Sequence, residues 1–248
     1  MTKKPYGTFF EHLDELRQRL IVCLSAFFLC VVPAAVYSDR LLDWLLGPLV
    51  REIPAAYFFS PADAFVVKIK VALLAAAVLS SPVVMGQLWL FITPALYGNE
   101  KKALLPLVVL TTSLFIVGAA FSFYGVIPVA LHFLIGMQGD FLRPLVSVSE
   151  YFSFLTSMVF AFGVAFNLPV FILALVGSGL VTAKMLNHFQ RWAILMIFIL
   201  AAVLTPGPDV ASQLMLAVPL LVLFELSVGG AVVLEKIRQK KKPVKAIS

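Results

Sequence analysis

Residues 8–20 read TFFEHLDELRQRL, and an almost unbroken apolar run follows them as far as Val36. Leu13, Leu16 and Leu20 recur at helical spacing, which predicts an amphipathic helix that leads directly into a membrane span. The leucines of such a helix lie at the headgroup boundary while its charged residues face water. Carboxylates held at a membrane surface in this way are suited to binding cationic ligands.

The composition excludes an ordinary soluble domain. Of the 248 residues, 61% are hydrophobic and only 13% are charged, whereas soluble proteins contain about 25% charged residues. Apolar runs recur along the whole length, so we predict an all-α polytopic membrane protein with a single integral membrane domain, 1–248. Acids precede the first run and no small-residue cleavage site follows it, so we expect a retained span and not a signal peptide.

The predicted domain has a cytoplasmic amphipathic N-terminus (1–19), a six-span bundle (20–234) and a basic cytoplasmic tail (235–248). Long apolar runs separated by polar or proline-containing breaks define the six spans. The predicted spans are 20–36, 66–91, 103–124, 151–176, 192–205 and 210–234.

Two stretches do not follow the simple pattern. Three prolines interrupt 41–65, which is therefore expected to form short helices and a turn. The polar stretch 182–190 is expected to be a connection, which leaves a fifth span, 192–205, of only 14 residues. Such a helix rises about 21 Å, less than the roughly 30 Å hydrocarbon core. Either the bilayer thins beside it, or the Pro-Gly-Pro sequence at 206–208 forms a re-entrant cap, and both readings remain open.

Charge asymmetry orients the predicted spans. Fourteen Lys and Arg residues fall on the side of the two termini, and five fall on the other side. The positive-inside rule therefore predicts that both termini are cytoplasmic. This asymmetry and a polybasic tail near anionic lipid account for the net charge of +6 without any nucleic-acid partner.

Polar residues inside the predicted spans are few, and each is a candidate for function. Gln87 and Gln213 are interpreted mainly as interhelical hydrogen-bonding groups. Glu225 lies in the middle of span six, where a carboxylate requires a partner or a water-filled cavity.

The residues do not predict an enzyme. We find no nucleophile–base set, phosphate-binding loop or metal-ligand spacing, and the three histidines are far apart, so no cofactor or metal is expected. A small-molecule secondary transporter is the main alternative, but it predicts an internal repeat that the two halves of the chain do not show. An intramembrane enzyme is a more distant alternative.

Five stretches of the chain resemble the TatC family, the large six-span subunit of the twin-arginine protein translocase. They are HLDELRQRL (12–20), the Gly-Pro-Leu turn (47–49), SSPVVMGQLWLFITPALYGNEKK (80–102), SFLTSMVFAFGVAFNLPV (153–170) and LTPGPDVASQ (204–213). They occur in order over nearly the whole chain.

This resemblance implies a fold and a function. The expected fold is a curved wall of six helices with a concave face, in the bacterial cytoplasmic (inner) membrane. The implied function is that of a receptor and scaffold that binds the twin-arginine signal peptides of folded precursors. TatA- and TatB-type single-span subunits and further copies of the chain are the implied partners, and transport draws on the proton-motive force.

The resemblance also implies a signal-peptide site. The acids that contact the signal's arginines are expected to be Glu15 and Glu100. The other residues expected at this site are His12, Arg17, Phe91 and Tyr97. Spacing alone also allows Glu15 to pair with Arg19 four residues later, and Glu100 to be a solvated loop charge.

A second implied site binds the partner subunits. Its expected residues are Pro206, Asp209, Gln213 and Glu225. The chain departs from the family in span four, where many members carry an acid or Gln and this sequence has Asn167. Asn keeps hydrogen bonding but does not ionise, which places any mechanism with a titrating group there in doubt.

Overall fold

The structure, a computed structural model, describes residues 9–53, 56–97, 104–136, 145–204 and 210–241. These residues form α-helices joined by short connections, with one π-helical turn and no strand. The helices are α1 (Phe9–Val36), α2 (Ser38–Glu52), α3 (Asp63–Tyr97), α4 (Leu104–Phe121), the π-helical turn (Ser122–Val126), α5 (Ile127–Gly136), α6 (Val148–Ala165), α7 (Leu168–Ser178), α8 (Ala183–Leu204) and α9 (Val210–Lys241).

Six helical segments are long and apolar enough to cross a membrane, which confirms the predicted all-α fold with six spans. They are Leu13–Val36, Asp63–Ile92, Leu104–Gly136, Val148–Ser178, Ala183–Leu204 and Gln213–Ile237. The side of the membrane on which the termini lie and the curved wall stay predictions.

The predicted amphipathic stretch and the first span form one continuous helix. α1 runs from Phe9 to Val36 without a break, and Leu13, Leu16 and Leu20 are exposed on it. The placement of these leucines at the headgroup boundary stays a prediction.

The expectation of several short helices after span one is wrong. A single 15-residue helix, α2, continues through Pro48. Proline removes one backbone hydrogen bond from a helix interior. Leu45, Leu49 and Ile53 are buried at four-residue intervals along one face, and their packing offsets that loss.

The expectation of a short fifth span is also wrong. α8 begins at Ala183, so the predicted connection at 182–190 is largely helical. The helix has 22 residues and rises about 33 Å, which is long enough to cross the hydrocarbon core, and bilayer thinning beside its apolar part stays a prediction. The stretch 206–208, on which the re-entrant reading depended, lies outside the described residues.

The last span extends into the predicted tail. α9 continues from Val210 to Lys241, so residues 235–241 are helical and do not begin a separate tail. Span three continues beyond its predicted end at 124, because α4, the π-helical turn and α5 follow one another without a gap as far as Gly136. Span four is divided into α6 and α7 by a turn at 166–167, before Pro169.

Contacts divide the chain into two compact units. The first unit consists of Met1–Leu45 and Ser60–Ser113. Within it, α1 packs on α3 through Ala34, Ala72 and Ala76, which are all buried. Small residues let two membrane helices approach closely, and Phe27 and Val31 of α1 pack against this alanine cluster.

The second unit consists of Leu46–Phe59 and Leu114–Ser248. α9 packs on both α7 and α8 within this unit. Tyr57 and Ser147 form an isolated parallel β-bridge, with Tyr57 N–H donating to Val146 O and Val148 N–H to Tyr57 O, both at 3.1 Å. Glu52 Oε2 lies 3.1 Å from His132 Nδ1.

Candidate functional site

Glu15 lies on α1 in an ion pair with Arg19, the intrahelical alternative that spacing allowed. The Arg19 Nε donates to Glu15 Oε1 at 3.1 Å, and Nη2 contacts the same oxygen. The second carboxylate oxygen takes part in neither contact, and the Glu15 side chain is 41% exposed. An i,i+4 pair of this kind contributes only about 0.3–0.5 kcal/mol, so another cation can displace Arg19.

Helix geometry is expected to bring Phe91 near the level of Glu15 in the α1–α3 pair. Ala34, near the end of α1, packs on Ala72 and Ala76, near the start of α3, so the two helices are antiparallel. Glu15 precedes Ala34 by 19 residues, and Phe91 follows Ala72 by 19 residues. Equal helical rises bring both to one end of the pair, where Phe91 is half-buried.

The remaining residues of this predicted site are only partly described. Arg17 is exposed on α1, two residues after Glu15. His12 lies in the second turn of α1 and Tyr97 is the last residue of α3. Glu100 lies outside the described residues, in the connection between α3 and α4.

A buried hydrogen bond, which sequence reasoning missed, holds α3 against α4 next to that connection. The Trp89 side chain is fully buried, and its Nε1 donates to Thr111 Oγ1 at 3.1 Å. Thr111 in turn donates to Leu107 O at 2.9 Å. The two residues are 22 positions apart, so no local pattern pairs them.

Replacing Thr111 with valine is expected to lower the free energy of unfolding by about 1–3 kcal/mol, because it removes the acceptor of a buried indole N–H. Thermal unfolding of the detergent-purified variants measures this. Thr112→Val is the matched control: its buried Oγ1 has no hydrogen-bond partner among the described residues, so valine there should be neutral or stabilising. Equal losses for both variants would contradict the assigned hydrogen bond.

Side-chain contacts hold both ends of the α8–α9 pair. Gln213 Nε2 donates to Phe198 O at 2.9 Å, as interpreted from the sequence. At the other end, Ala183 N–H donates to Glu235 Oε2 at 2.9 Å, which satisfies an amide in the first turn of α8. The sequence analysis did not predict this role for Glu235, because it assigned the residue to the tail. The pattern that could have indicated it is an acidic residue directly after span six.

Glu225 has the partner that its position in the span required. The Gln190 side-chain amide donates to Glu225 Oε1, and both residues are in the second unit. Glu225 also lines an open groove of about 520 Å³ along one face of α9. The other residues of this α9 groove are Val218, Leu221, Val222, Leu226, Gly229 and Gly230. Pro206 and Asp209 lie outside the described residues.

Asn167 is buried in the turn between α6 and α7. Its side chain is 1% exposed, and Nδ2 donates to Gly163 O at 2.9 Å. Oδ1 is buried and has no hydrogen-bond partner among the described residues. Asn167 therefore helps to satisfy the backbone at the helix break and lies within the protein interior.

The chain matches a known protein family over most of its length. The family model for "Sec-independent protein translocase protein (TatC)" matches residues 11–219. The chain belongs to the TatC family. TatC proteins form a protein-transport family, and the six apolar helices make this member a multi-pass membrane protein.

Several relatives are close over nearly their whole length. The TatC protein of Carboxydothermus hydrogenoformans is 36% identical over 92% of this chain and 93% of its own. The TatC protein of Desulforapulum autotrophicum is 38% identical over 92% of this chain and 85% of its own. A crystal structure of the twin-arginine translocase receptor TatC matches with a TM-score of 0.83 and 35% identity, over 90% of this chain and 99% of that one.

Among the residues that the structure describes, no group of three His, Cys, Asp or Glu side chains is placed to hold a metal ion. Membership in the TatC family makes this chain a component of a protein translocase.

Proposed function

We propose that this protein is the signal-peptide receptor and core scaffold of a twin-arginine translocase in a bacterial cytoplasmic membrane. Both termini face the cytoplasm, and folded precursors are exported at the expense of the proton-motive force. One observation carries the proposal: the Glu15 carboxylate on α1 is only weakly paired and is partly exposed, and the helical rises along the α1–α3 pair are expected to bring Phe91 near its level.

The Glu15 carboxylate suits an arginine better than a lysine. A guanidinium presents a planar fork of donors that two carboxylate oxygens accept together, whereas an ammonium acts as a point charge. The Glu15 oxygen that does not contact Arg19 can accept the first hydrogen bond from an arginine of the signal, which then replaces Arg19. In this proposal Glu100 binds the second arginine of the signal, and the two acids together supply roughly 3–6 kcal/mol.

Two charged contacts of this strength leave binding at millimolar or weaker. Apolar contacts must therefore supply the rest of the affinity for the signal's hydrophobic region. Phe91 and Tyr97 are the proposed contacts on α3, and the exposed Leu16 and Leu20 extend that surface along α1. His12 and Arg17 are placed at its edge.

The α9 groove is the proposed binding surface for a TatA- or TatB-type single-span helix. It is almost entirely apolar, contains two glycines and carries one carboxylate, Glu225. Small residues permit close helix packing in lipid, and a polar group in the interface selects a partner that can hydrogen-bond to it. Gln213 lies on the same helix, and Pro206 and Asp209 precede it; all three belong to the proposed partner site.

Binding of a twin-arginine signal peptide to the protein, purified together with its partner subunits, tests the receptor role. Glu15→Gln and Glu100→Gln are each expected to weaken binding about 10- to 100-fold, since a charged hydrogen bond is worth about 1.5–3 kcal/mol. A Lys-Lys peptide should bind more weakly to wild type. Glu52→Gln is the matched control, because this acid pairs with His132 in the other unit, and it should leave binding unchanged.

Each result has a distinct meaning. Binding that ignores both acids would leave the family assignment standing while removing the proposed site. Absence of binding by the folded complex would refute the receptor role itself.

A further inference from the structure

A polar groove opens on α8, within a helix that is a candidate membrane span. It has a volume of about 430 Å³ and is lined by Asn187, His188, Gln190, Arg191 and Ile194. This volume falls in the range of ligand sites, about 300–1,000 Å³. The signal-peptide and partner sites proposed above do not include any of these five residues.

Arg191 gives the α8 groove a positive charge. Its side chain is exposed, and it forms no ion pair or hydrogen bond with another side chain that the structure describes. Neither Glu225 nor Glu235 forms an ion pair with Arg191: Glu225 accepts from Gln190, and Glu235 accepts from the Ala183 amide. A charged side chain in a span normally has a partner, so the groove calls for an anion.

The polar residues around Arg191 are arranged to receive that anion. Asn187 precedes Arg191 by one helical turn on the same face, and His188 contributes a ring nitrogen beside it. Gln190 lines the groove while its amide is held by Glu225, which restricts its movement. Lys184, exposed one further turn toward the start of α8, adds to the positive potential.

The surroundings of the groove are those of a lipid and not of a free ion. Phe189 and Trp192 are exposed beside it, as is typical of residues at the headgroup level. Beyond Ile194 the helix surface is apolar, with Leu195, Met196 and Ile199 all exposed. An amphiphile whose anionic head lies against Arg191 would therefore lay its acyl chains along this apolar face.

We infer that the α8 groove binds the phosphodiester headgroup of an anionic phospholipid. The Arg191 guanidinium supplies the bidentate fork to the phosphate, and the Asn187 amide and His188 ring donate to its remaining oxygens. The long arginine stem lets the guanidinium reach the headgroup level while the stem stays in apolar surroundings.

Native mass spectrometry of the full-length protein, titrated with phosphatidylglycerol or with phosphatidylcholine of the same acyl chains, tests this inference. Wild type is expected to retain phosphatidylglycerol preferentially. Arg191→Gln should weaken phosphatidylglycerol binding about tenfold or more and phosphatidylcholine binding less, because both lipids carry the phosphate but the choline cation is unfavourable beside Arg191 and Lys184. Arg51→Gln, at an exposed arginine in the last turn of α2, is the matched control and should change neither.

Further arms separate the possible outcomes. Arg191→Lys keeps the positive charge but loses the bidentate guanidinium, so its affinity for phosphatidylglycerol should be intermediate. If Arg191→Gln does not fold, Arg191→Lys and Asn187→Leu provide the test. Displacement of the lipid by inorganic phosphate at equal concentration would show a free-anion site and overturn the lipid assignment. Equal retention of both lipids, or equal effects of Arg191→Gln and Arg51→Gln, would refute the site.

Discussion

Replacing Gly118 with leucine is expected to yield no stably folded protein, and Gly118→Ala is expected to destabilise it measurably. α4 and α6 cross so closely that a Cβ on Gly118 would clash with the carbonyl oxygen of Phe162 and lie 2.9 Å from Phe166 Cγ. Backbone atoms of the facing helix cannot move aside individually, so the two helices must separate. Overpacking of this kind costs about 1–3 kcal/mol for alanine and more for leucine.

Gly86→Ala is the matched control for this prediction. A Cβ on Gly86 meets only Val108 Cγ1, at 3.9 Å, which is an ordinary contact. Alanine is also the better helix former, so stability should stay unchanged or rise by up to about 1 kcal/mol. Thermal unfolding in detergent and resistance to proteolysis measure both variants. Similar melting temperatures for Gly118→Ala and Gly86→Ala would show that the close crossing is not needed.

Replacing Gly229 with phenylalanine is expected to reduce recovery of the single-span partner subunits to about a tenth of the wild-type level or less. Gly229 lies in the α9 groove, and a Cβ built on it meets no atom within 4 Å. The ring therefore fits the isolated fold but fills the surface that the partner helix needs. Helix association in membranes depends on this close packing.

Gly136→Phe is the matched control, because Gly136 also has no atom within 4 Å of a built Cβ and, as the last residue of α5, is not among the residues that line the groove. Partner recovery is measured by co-purification at matched expression. Unchanged recovery for a folded Gly229→Phe variant would remove the α9 groove from the partner site and leave the signal-peptide test unaffected.

The spans could be predicted because a long run of apolar residues indicates a helix surrounded by lipid. Leu13, Leu16 and Leu20 together with the run to Val36 specify both an amphipathic start and a span, and α1 joins them. The same reasoning failed at the start of α8. Lys184 and the polar residues after it indicate exposure to water, but polar residues are found in helices as well as in loops. A helix-start signal was present: Thr182 Oγ1 accepts from Met185 N–H at 3.2 Å.

The missed contacts are those between residues distant in the chain. Nothing local distinguishes Gly118, which faces a backbone carbonyl, from Gly86, which faces open space and one methyl group. Likewise, Thr111 and Thr112 are adjacent and chemically identical, yet only Thr111 receives the indole N–H of Trp89. Such distinctions arise from helix register, which becomes visible only when the helices are placed.

The β-bridge between Tyr57 and Ser147 constrains the order of folding. It pairs two segments 90 residues apart, one six residues before α3 and the other directly before α6. Both must emerge on the same face of the bilayer before they can pair, so the chain between them must first have crossed an even number of times. Closing so long a loop is entropically slow, and the bridge should therefore form late, after the intervening hairpin of spans has inserted.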